Sequence, residues 1–190
     1  MKGNSMIYYI SDLHLGHTNV IRFDHRPFRD TEEMAARILE NWNSRVTDQD
    51  TVYILGDAFW HHEQESMEFL AKLKGHKHLI CGNHDVINGR LGKCWESIHP
   101  YLEIKDGDTM VVLCHYPVLF YNRHHYGAVM LYGHVHNSPE WQEMERICTD
   151  LQSRGFPGTY INVGCMLPYM DYTPRTLEEL LRVSDGTGKE

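Results

Sequence analysis

Five short runs of the sequence carry side chains that could bind metal ions, and an apolar stretch precedes each run. The runs are Asp12-Leu13-His14, Gly56-Asp57, Gly82-Asn83-His84-Asp85, His115 and Gly133-His134-Val135-His136. Carboxylate, carboxamide and imidazole groups together form a mixed oxygen and nitrogen donor set that contains no thiolate. Such a set suits manganese, iron, zinc, nickel or cobalt better than it suits a structural zinc site built from cysteines.

The number of candidate ligands indicates more than one metal ion. The candidates are Asp12, His14, Asp57, Asn83, His115, His134 and His136. They exceed what one ordinary ion needs, but they suit two ions that share a carboxylate and leave positions for water and substrate. In two-metal sites the ions lie about 3.5–4 Å apart, and a bridging hydroxide is the expected nucleophile because coordination lowers the pKa of water toward about 7.

The spacing within each run predicts how these side chains converge. Residues two apart in an extended segment point the same way, so Asp12 and His14 are expected to face one point. The same spacing recurs in His134-Val135-His136. A glycine stands at the start of three runs, where we expect it to let the backbone turn sharply as it leaves the strand.

The elements that must position these runs are short apolar strands that alternate with helices. The predicted strands cover residues 6–10, 51–55, 78–81, 101–105, 109–114, 128–132 and 160–163. Capping patterns at Asp30 and Thr176 predict two helix starts, and apolar spacing predicts further helices around 67–73 and 141–151. This alternation favours a layered α/β domain, in which ligands gather at the carboxyl ends of strands.

Length, charge and cysteine usage limit the class of protein. The 190 residues favour one domain, predicted here over residues 1–183 with a polar tail at 184–190. A net charge of −8 argues against long nucleic acid as a partner and leaves small phosphate esters open. The apolar runs are shorter than the about 20 residues of a membrane span. Five cysteines without a CxxC pair or a secretory signal predict reduced thiols and a cytoplasmic location.

The motifs DxH, GD, GNHD, H and GHxH, in this order, resemble the calcineurin-like metallophosphoesterase superfamily. The resemblance covers residues 7 to about 181, and Asn162-Val163-Gly164 is similar to its compact bacterial and phage-type members. It implies a single-domain four-layer α/β/β/α sandwich that hydrolyses phosphate esters. The compact size, the acidity and the few lids favour phosphodiesters over monoesters as substrates. It also implies two divalent transition metal ions as cofactors, with manganese favoured over iron, zinc, nickel or cobalt.

The resemblance further implies a role for each motif residue. Asp12, His14 and His136 would hold one metal, Asp57 would bridge, and Asn83, His115 and His134 would hold the second metal. His84 would stabilise the phosphate and protonate the leaving oxygen as a general acid, and Asp85 would orient neighbouring groups. The run Gly56-Asp57-Ala58-Phe59-Trp60 departs from the GDxVDRG of the Ser/Thr protein phosphatases, which argues against protein phosphatase activity.

Several loop residues are candidates for contact with the substrate. They are His17, Arg26, His124 and His125, with His25, His61 and His62 as further loop histidines. Arg26 could clamp a phosphate, because a guanidinium group suits bidentate recognition. Two other functions stay open: a non-catalytic binding or scaffold module of the same fold, and a nuclease for short single strands. The physiological substrate, the native metal and the oligomeric state are not readable from the sequence.

Overall fold

Two β-sheets form the centre of the protein in the computed structural model, which describes residues 5–60, 62–87 and 89–184. His61 and the predicted tail from residue 185 onward lie outside the described residues. Among the helices of the described part, none is long and apolar enough to cross a membrane.

The first sheet has five strands in the order β4-β3-β2-β1-β9. Its members are β1 (Ile7–Ile10), β2 (Thr51–Ile54), β3 (His76–Ile80), β4 (Ser97–His99) and β9 (Arg175–Thr176). Strands β1 to β4 run parallel, with Ile7 opposite Thr51 and Thr51 opposite His76. Strand β9 pairs antiparallel with β1. Because the first four strands are parallel, their carboxyl ends meet at one edge of the sheet.

The second sheet has four strands in the order β5-β6-β7-β8. These are β5 (Tyr101–Asp106), β6 (Thr109–Cys114), β7 (Val129–Tyr132) and β8 (Thr159–Asn162). Strands β5 and β6 form the hairpin predicted at Asp106-Gly107-Asp108, and Asp106 pairs with Thr109 across its two-residue turn. Strands β6, β7 and β8 are parallel, so this sheet also gathers carboxyl ends at one edge.

Within the described ranges, five α-helices connect and cover the sheets. They are α1 (Thr18–Phe23), α2 (Thr31–Arg45), α3 (Glu63–Lys72), α4 (Pro139–Ser153) and α5 (Leu177–Ser184). The start predicted for α2 is confirmed, because the Asp30 carboxylate accepts a hydrogen bond from the backbone N–H of Glu33 at 2.8 Å. The start predicted for α5 is confirmed in the same way, since Glu179 accepts from the backbone N–H of Thr176 at 2.9 Å.

The apolar side chains confirm the predicted four-layer α/β/β/α arrangement. Val111 and Leu113 of β6 belong to the main core cluster, which also contains strands β1 and β2 and helices α2 and α3. Val112, which points to the other face of β6, packs in a second cluster with Met144 of α4. This alternation along one strand buries both faces of the second sheet.

The sequence patterns do not predict helix α1, strands β4 and β9, or the short 3₁₀ helices Leu91–Cys94 and His124–Tyr126. Strand β9 has only two residues, and it exists because Thr176 and Arg175 pair with Tyr8 and Tyr9. Helix α1 has six residues and a single buried side chain, Val20. Such elements are too short to show apolar periodicity, so tertiary pairing determines them.

Candidate metal centre

The carboxyl ends of strands from both sheets meet at one place, and the candidate ligands follow them. Asp12 comes two residues after β1, and Asp57 comes three residues after β2. His115 directly follows β6, and His134 comes two residues after β7. A parallel bridge between Ser11 and Gly164 joins the chain after β1 to the chain after β8. The sequence-predicted ligands therefore come from two sheets and face each other across their junction.

One compact group consists of Asp12, His14 and His136, whose ligand atoms lie within 4.8 Å of one another. The Nε2 atoms of His14 and His136 are 3.1 Å apart. Nε2 of His136 lies 3.4 Å from Oδ1 of Asp12. These three residues are the set that the family resemblance implied for one metal.

A second compact group consists of Asp12, Asp57 and His115, so the two groups share Asp12. Oδ2 of Asp57 lies 3.6 Å from Nε2 of His14 and 3.6 Å from Nε2 of His115, which places this carboxylate between the two groups. Nε2 of His115 is also 3.1 Å from the amide oxygen of Asn83. The His134 ring lies beside it, 5.1 Å from the His115 ring between centroids.

The ligands come together through residues with a left-handed backbone. The prediction that Asp12 and His14, and likewise His134 and His136, lie in extended segments is therefore wrong. Asp12, His14, Asp57, His134 and His136 have φ angles of 56°, 48°, 52°, 70° and 47°. Non-glycine residues adopt this conformation at a cost of roughly 1–2 kcal/mol each. Backbone strain of this kind concentrates at functional sites, where the surrounding structure holds it in place.

Two of the three motif glycines allow a carboxylate to approach the backbone closely, and only one provides the sharp turn that we expected of all three. Only Gly56 has a positive φ, of 86°, whereas Gly82 and Gly133 do not. A Cβ at Gly133 would lie 2.5 Å from both Oδ2 of Asp12 and Oγ of Ser11. A Cβ at Gly82 would collide with the Asp57 carboxylate at less than 3.0 Å. Both glycines therefore leave room for a ligand carboxylate.

The pKa shifts within the first group go in opposite directions, because the carboxylates of Asp12 and Asp24 favour a proton on His136. Burial lowers the pKa of His14 to about 3, so its imidazole is neutral at pH 7. Burial alone would raise the pKa of Asp12, but its hydrogen bond and charge interaction with His136 hold that pKa below its usual value. Burial alone would lower the pKa of His136, yet hydrogen bonds to Asp12 and Asp24 raise it to about 9.

Asp24, which the sequence analysis missed, supports His136 together with Arg26. Oδ1 of Asp24 lies 2.8 Å from Nδ1 of His136, which leaves Nε2 of that ring turned toward Asp12. Arg26 donates to Oδ2 of Asp24 at 2.8 and 2.9 Å. Histidine ligands commonly pair their second nitrogen with a carboxylate in this way. The sequence holds 26 acidic residues, and its spacing does not single out Asp24.

Arg26 does not lie where a phosphate clamp would have to lie. The residue is 4% exposed, and it donates to the carbonyl oxygens of Asp12 at 2.9 Å and Leu13 at 3.0 Å. Its guanidinium group is used inside the protein to fix the turn after β1 and the Asp24 carboxylate. Arg26 therefore stabilises the loop that carries Asp12 and His14. These internal hydrogen bonds occupy the guanidinium group that was expected to contact the substrate.

Asp85 has the orienting position that the resemblance implied. Its carboxylate accepts hydrogen bonds from the backbone N–H groups of Asp57, Ala58 and Gly82 at 2.9, 3.0 and 2.8 Å. The backbone N–H of His84 in turn donates to Oδ1 of Asp57 at 2.9 Å. The two loops that carry Asp57 and Asn83 are thereby locked to each other.

His84, His17 and Trp60 lie on the open side of the ligand groups. The His84 ring is exposed and lies 5.8 Å from the His14 ring between centroids. Trp60 lies 4.8 Å from His84, and it stacks on His17 at 4.1 Å with an interplanar angle of 14°. The sequence leaves two roles open for Trp60, to fill space above the site or to stack on a base, and its position is compatible with either.

The two histidines of the loop after β6 are not brought to the ligand groups by any contact among the described residues. Nδ1 of His124 lies 2.8 Å from the carbonyl oxygen of Tyr121, and the His124 ring lies 3.7 Å from that of His125. The other ring contacts of His124 are with Phe120 and Tyr121. These contacts hold the short 3₁₀ helix His124–Tyr126 against its own loop.

The sequence profile of the calcineurin-like phosphoesterase superfamily domain matches residues 6–180 of the chain. The match includes all seven candidate ligands, together with His84 and Asp85. It ends within α5, so nearly all of the described residues fall inside the matched region.

Relatives of similar length include archaeal and phage proteins. An uncharacterised protein of Methanocaldococcus jannaschii, MJ1445, is 33% identical over 121 residues, which are 63% of this chain and 69% of that protein. The Gene 66 protein of Mycobacterium phage L5 is 27% identical over 163 residues, covering 70% of this chain and 78% of the phage protein. The crystal structure of the protein of unknown function AQ665 from Aquifex aeolicus superposes with a TM-score of 0.73 at 27% identity, covering 95% of this chain and all of that chain.

Proposed function

Because the chain belongs to the calcineurin-like phosphoesterase superfamily, we propose that it is a metal-dependent hydrolase of phosphate esters that prefers phosphodiesters to monoesters. The observation that carries this proposal is the meeting of oxygen and nitrogen donors in two adjoining groups. Those groups are Asp12, His14 and His136, and Asp12, Asp57 and His115. Such a site would act on the phosphate that its metals bind.

The residues fit a pair of divalent cations on their own chemistry. Two imidazole nitrogens 3.1 Å apart, next to two buried carboxylates, bring together lone pairs that only protons or cations can neutralise. The space that Gly82 and Gly133 leave for the carboxylates keeps the donors close together. The set contains no cysteine, which favours manganese, iron, zinc, nickel or cobalt as the ion.

In this proposal Asp12, His14 and His136 hold one ion, and Asn83, His115 and His134 hold the other, with Asp57 between them. When bound, such ions lower the pKa of water and neutralise the charge of the phosphate. The pair formed by Asp24 and Arg26 fixes the His136 ring, with Oδ1 of Asp24 at 2.8 Å from Nδ1. A carboxylate partner of this kind also makes the ring nitrogen that faces the metal more basic.

His84 is the residue proposed to handle the proton of the leaving group. Its backbone is anchored to Oδ1 of Asp57 at 2.9 Å, while its side chain is exposed beside the ligand groups. A histidine in this position can stabilise a phosphate oxygen and then protonate the departing alcohol, a contribution of about 10²–10⁴-fold. Asp85 contributes by fixing the backbone from which His84 projects.

The preference for diesters rests on the charge around the centre. A monoester dianion gains most from extra cationic side chains, whereas a diester carries a single negative charge. Arg26, which the sequence analysis gives as a possible phosphate clamp, is turned inward and donates hydrogen bonds to Asp24, Asp12 and Leu13. The net charge of −8 also favours the less charged substrate.

The first test is the replacement of the central carboxylate, Asp57→Asn, in protein loaded with manganese. We expect the variant to lose bound metal and hydrolytic activity together. The loss should exceed the about 10–100-fold that is typical when a residue hydrogen-bonded to a metal ligand is replaced. Metal content is measured by elemental analysis, and turnover is measured with bis(p-nitrophenyl) phosphate and p-nitrophenyl phosphate. The matched control is Asp108→Asn in the exposed hairpin turn. Full activity in Asp57→Asn would overturn the assignment.

The same assay separates the two other functions that the sequence left open. Stoichiometric metal without hydrolysis of either reporter would favour a non-catalytic binding module of this fold. Hydrolysis confined to short single-stranded oligonucleotides, with binding that weakens steeply as salt rises, would favour a nuclease. Faster hydrolysis of the monoester than of the diester would contradict the proposed substrate preference.

A further inference from the structure

A cavity of about 560 Å³ opens beside the candidate metal centre, and Asn83 and His84 form part of its wall. The cavity therefore borders one candidate ligand and the histidine proposed to act on the leaving group. Its volume lies within the about 300–1,000 Å³ that is usual for small-molecule sites. A substituent on the phosphate could enter it without leaving the centre.

The rest of the wall is mostly apolar and aromatic. Phe59, Leu79 and Trp95 are core residues that line the cavity, and Trp60 and Ile87 stand at its exposed side. The rings of Phe59 and Trp95 are 6.2 Å apart at an interplanar angle of 55°. Tilted aromatic walls of this kind favour the edge-to-face contacts that a flat ring can make.

Three polar side chains in the wall, those of Glu63, Ser66 and Asp85, already have partners within the protein. Oε1 of Glu63 accepts from the backbone N–H groups of Arg90 and Leu91 at 2.5 and 3.2 Å. The Ser66 hydroxyl donates to the carbonyl oxygen of His62 at 3.1 Å. Asp85 accepts three backbone hydrogen bonds. A sugar or another polyhydroxyl group would have to compete for these partners, whereas an apolar ring would not.

We infer that this cavity, the aryl pocket, holds an aromatic substituent of a phosphate ester whose phosphate lies at the metal centre. The inference rests on the proposed function and specifies its substrate class. Trp60 lies 4.8 Å from His84, so a ring in the aryl pocket would sit next to the histidine proposed to protonate the leaving oxygen. Burial of such a ring in an apolar wall strengthens binding by about tenfold or more.

The test compares two anions that cannot be hydrolysed, phenylphosphonate and methylphosphonate, on the manganese-loaded protein. Calorimetry gives both Kd values, and quenching of tryptophan fluorescence gives a second measure because Trp60 and Trp95 line the pocket. We expect phenylphosphonate to bind about tenfold more tightly. Affinities within about twofold of each other would overturn the inference.

Gly92 allows the pocket to be narrowed without backbone strain. A Cβ at this position would meet only Cγ2 of Ile87, at 3.9 Å, and the φ of Gly92 is not in the left-handed region. In Gly92→Leu we expect the Kd for phenylphosphonate to rise about fivefold or more, with methylphosphonate as the reference. Gly92 and Lys93 both belong to a short 3₁₀ helix, Leu91–Cys94. The matched control is Lys93→Leu, which adds the same side chain at an exposed residue of that helix and should keep the preference.

A second variant, Ile87→Ser, removes an exposed apolar wall at little risk to folding, and we expect it to weaken phenylphosphonate binding by about threefold. A phenyl preference that survives both variants would place the ring elsewhere and overturn the inference. A phenyl preference that depends on Gly92, in a protein that hydrolyses no ester, would refute the proposed function and leave the aryl pocket standing. Hydrolysis of diesters without a phenyl preference would support the proposed function and overturn the inference of an aryl pocket.

Discussion

Five of the candidate ligands have a left-handed backbone, which is strained for residues other than glycine. Neighbouring glycines leave the space in which their side chains come together. The carboxylate of Asp12 lies fully buried against Gly133, and its Oδ2 accepts a hydrogen bond from Ser11 at 2.6 Å. The backbone N–H of His134 approaches both oxygens of Asp12 at 3.2 Å. The centre therefore requires residues without a side chain at Gly82 and Gly133, because a Cβ at either position would collide with a ligand carboxylate.

Gly133→Ala should therefore displace the Asp12 carboxylate and weaken metal binding by at least about tenfold. The new Cβ would lie 2.5 Å from Oδ2 of Asp12, in a place where neither group can yield without moving a ligand. The measurement is the manganese Kd by calorimetry. Gly107→Ala is the control, because its φ is 59° and nothing lies within 4 Å of the added Cβ. That variant should lose about 1–2 kcal/mol of stability through backbone strain and retain its metal affinity; an unchanged Kd in Gly133→Ala would contradict the prediction.

The sequence predicts which residues follow the strands, but it does not predict the conformation in which they do so. Continuous apolar runs over residues 110–114 and 128–132 identify β6 and β7, so His115 and His134 can be placed at strand ends from pattern alone. Whether Asp12 and His14 converge through an extended or a left-handed chain depends on contacts with Asp57 and Gly133, which are 43 or more positions away in the sequence. Asp24 is missed for the same reason, since only the folded chain brings it to His136.

Among the elements, the first sheet depends on a buried carboxylate at the start of β2. Asp50 accepts hydrogen bonds from the backbone N–H groups of Met6 and Thr47, each at 2.7 Å, and from the Thr47 hydroxyl at 2.8 Å. It thereby ties the chain before β1 to the turn before β2. Burial alone would raise the pKa of Asp50, but these hydrogen bonds to its ionised form lower that pKa below its usual value.

Asp50→Asn should lower the free energy of unfolding at pH 7 by about 1–3 kcal/mol, because buried donors lose a charged acceptor. Since the pKa of Asp50 is lower in the folded protein, its contribution is present above the unfolded value near about 3.9 and is lost as the pH falls through the folded value. The variant should accordingly show a flatter loss of stability below about pH 4. Urea unfolding with a chelator present measures this, with exposed Asp48→Asn as the control. An equally steep acid dependence in Asp50→Asn would exclude this role.

At the scale of the whole molecule, the candidate metal centre joins the two sheets. Asp12, Asp57 and Asn83 follow strands of the first sheet, while His115 and His134 follow strands of the second. The unfolded chain would hold these groups far apart, so an ion that binds all of them binds the folded protein alone. Metal binding should then raise the free energy of unfolding. The size of this increase measures how completely the two sheets together form the centre.

Manganese should raise the Tm of the protein, and Asp57→Asn should abolish most of the rise. A ligand at 100 times its Kd stabilises the folded state by about 2.7 kcal/mol. For a domain of this size each kcal/mol moves Tm by about 2–4 °C, so the expected shift is roughly 5–10 °C. Differential scanning calorimetry at increasing manganese concentration measures the shift, and excess chelator should reverse it. Because Asp57 lies between the two ligand groups, an equal shift in Asp57→Asn would mean that manganese stabilises the chain at some other place. The absence of any shift in the unaltered chain would mean that the two sheets do not share an ion.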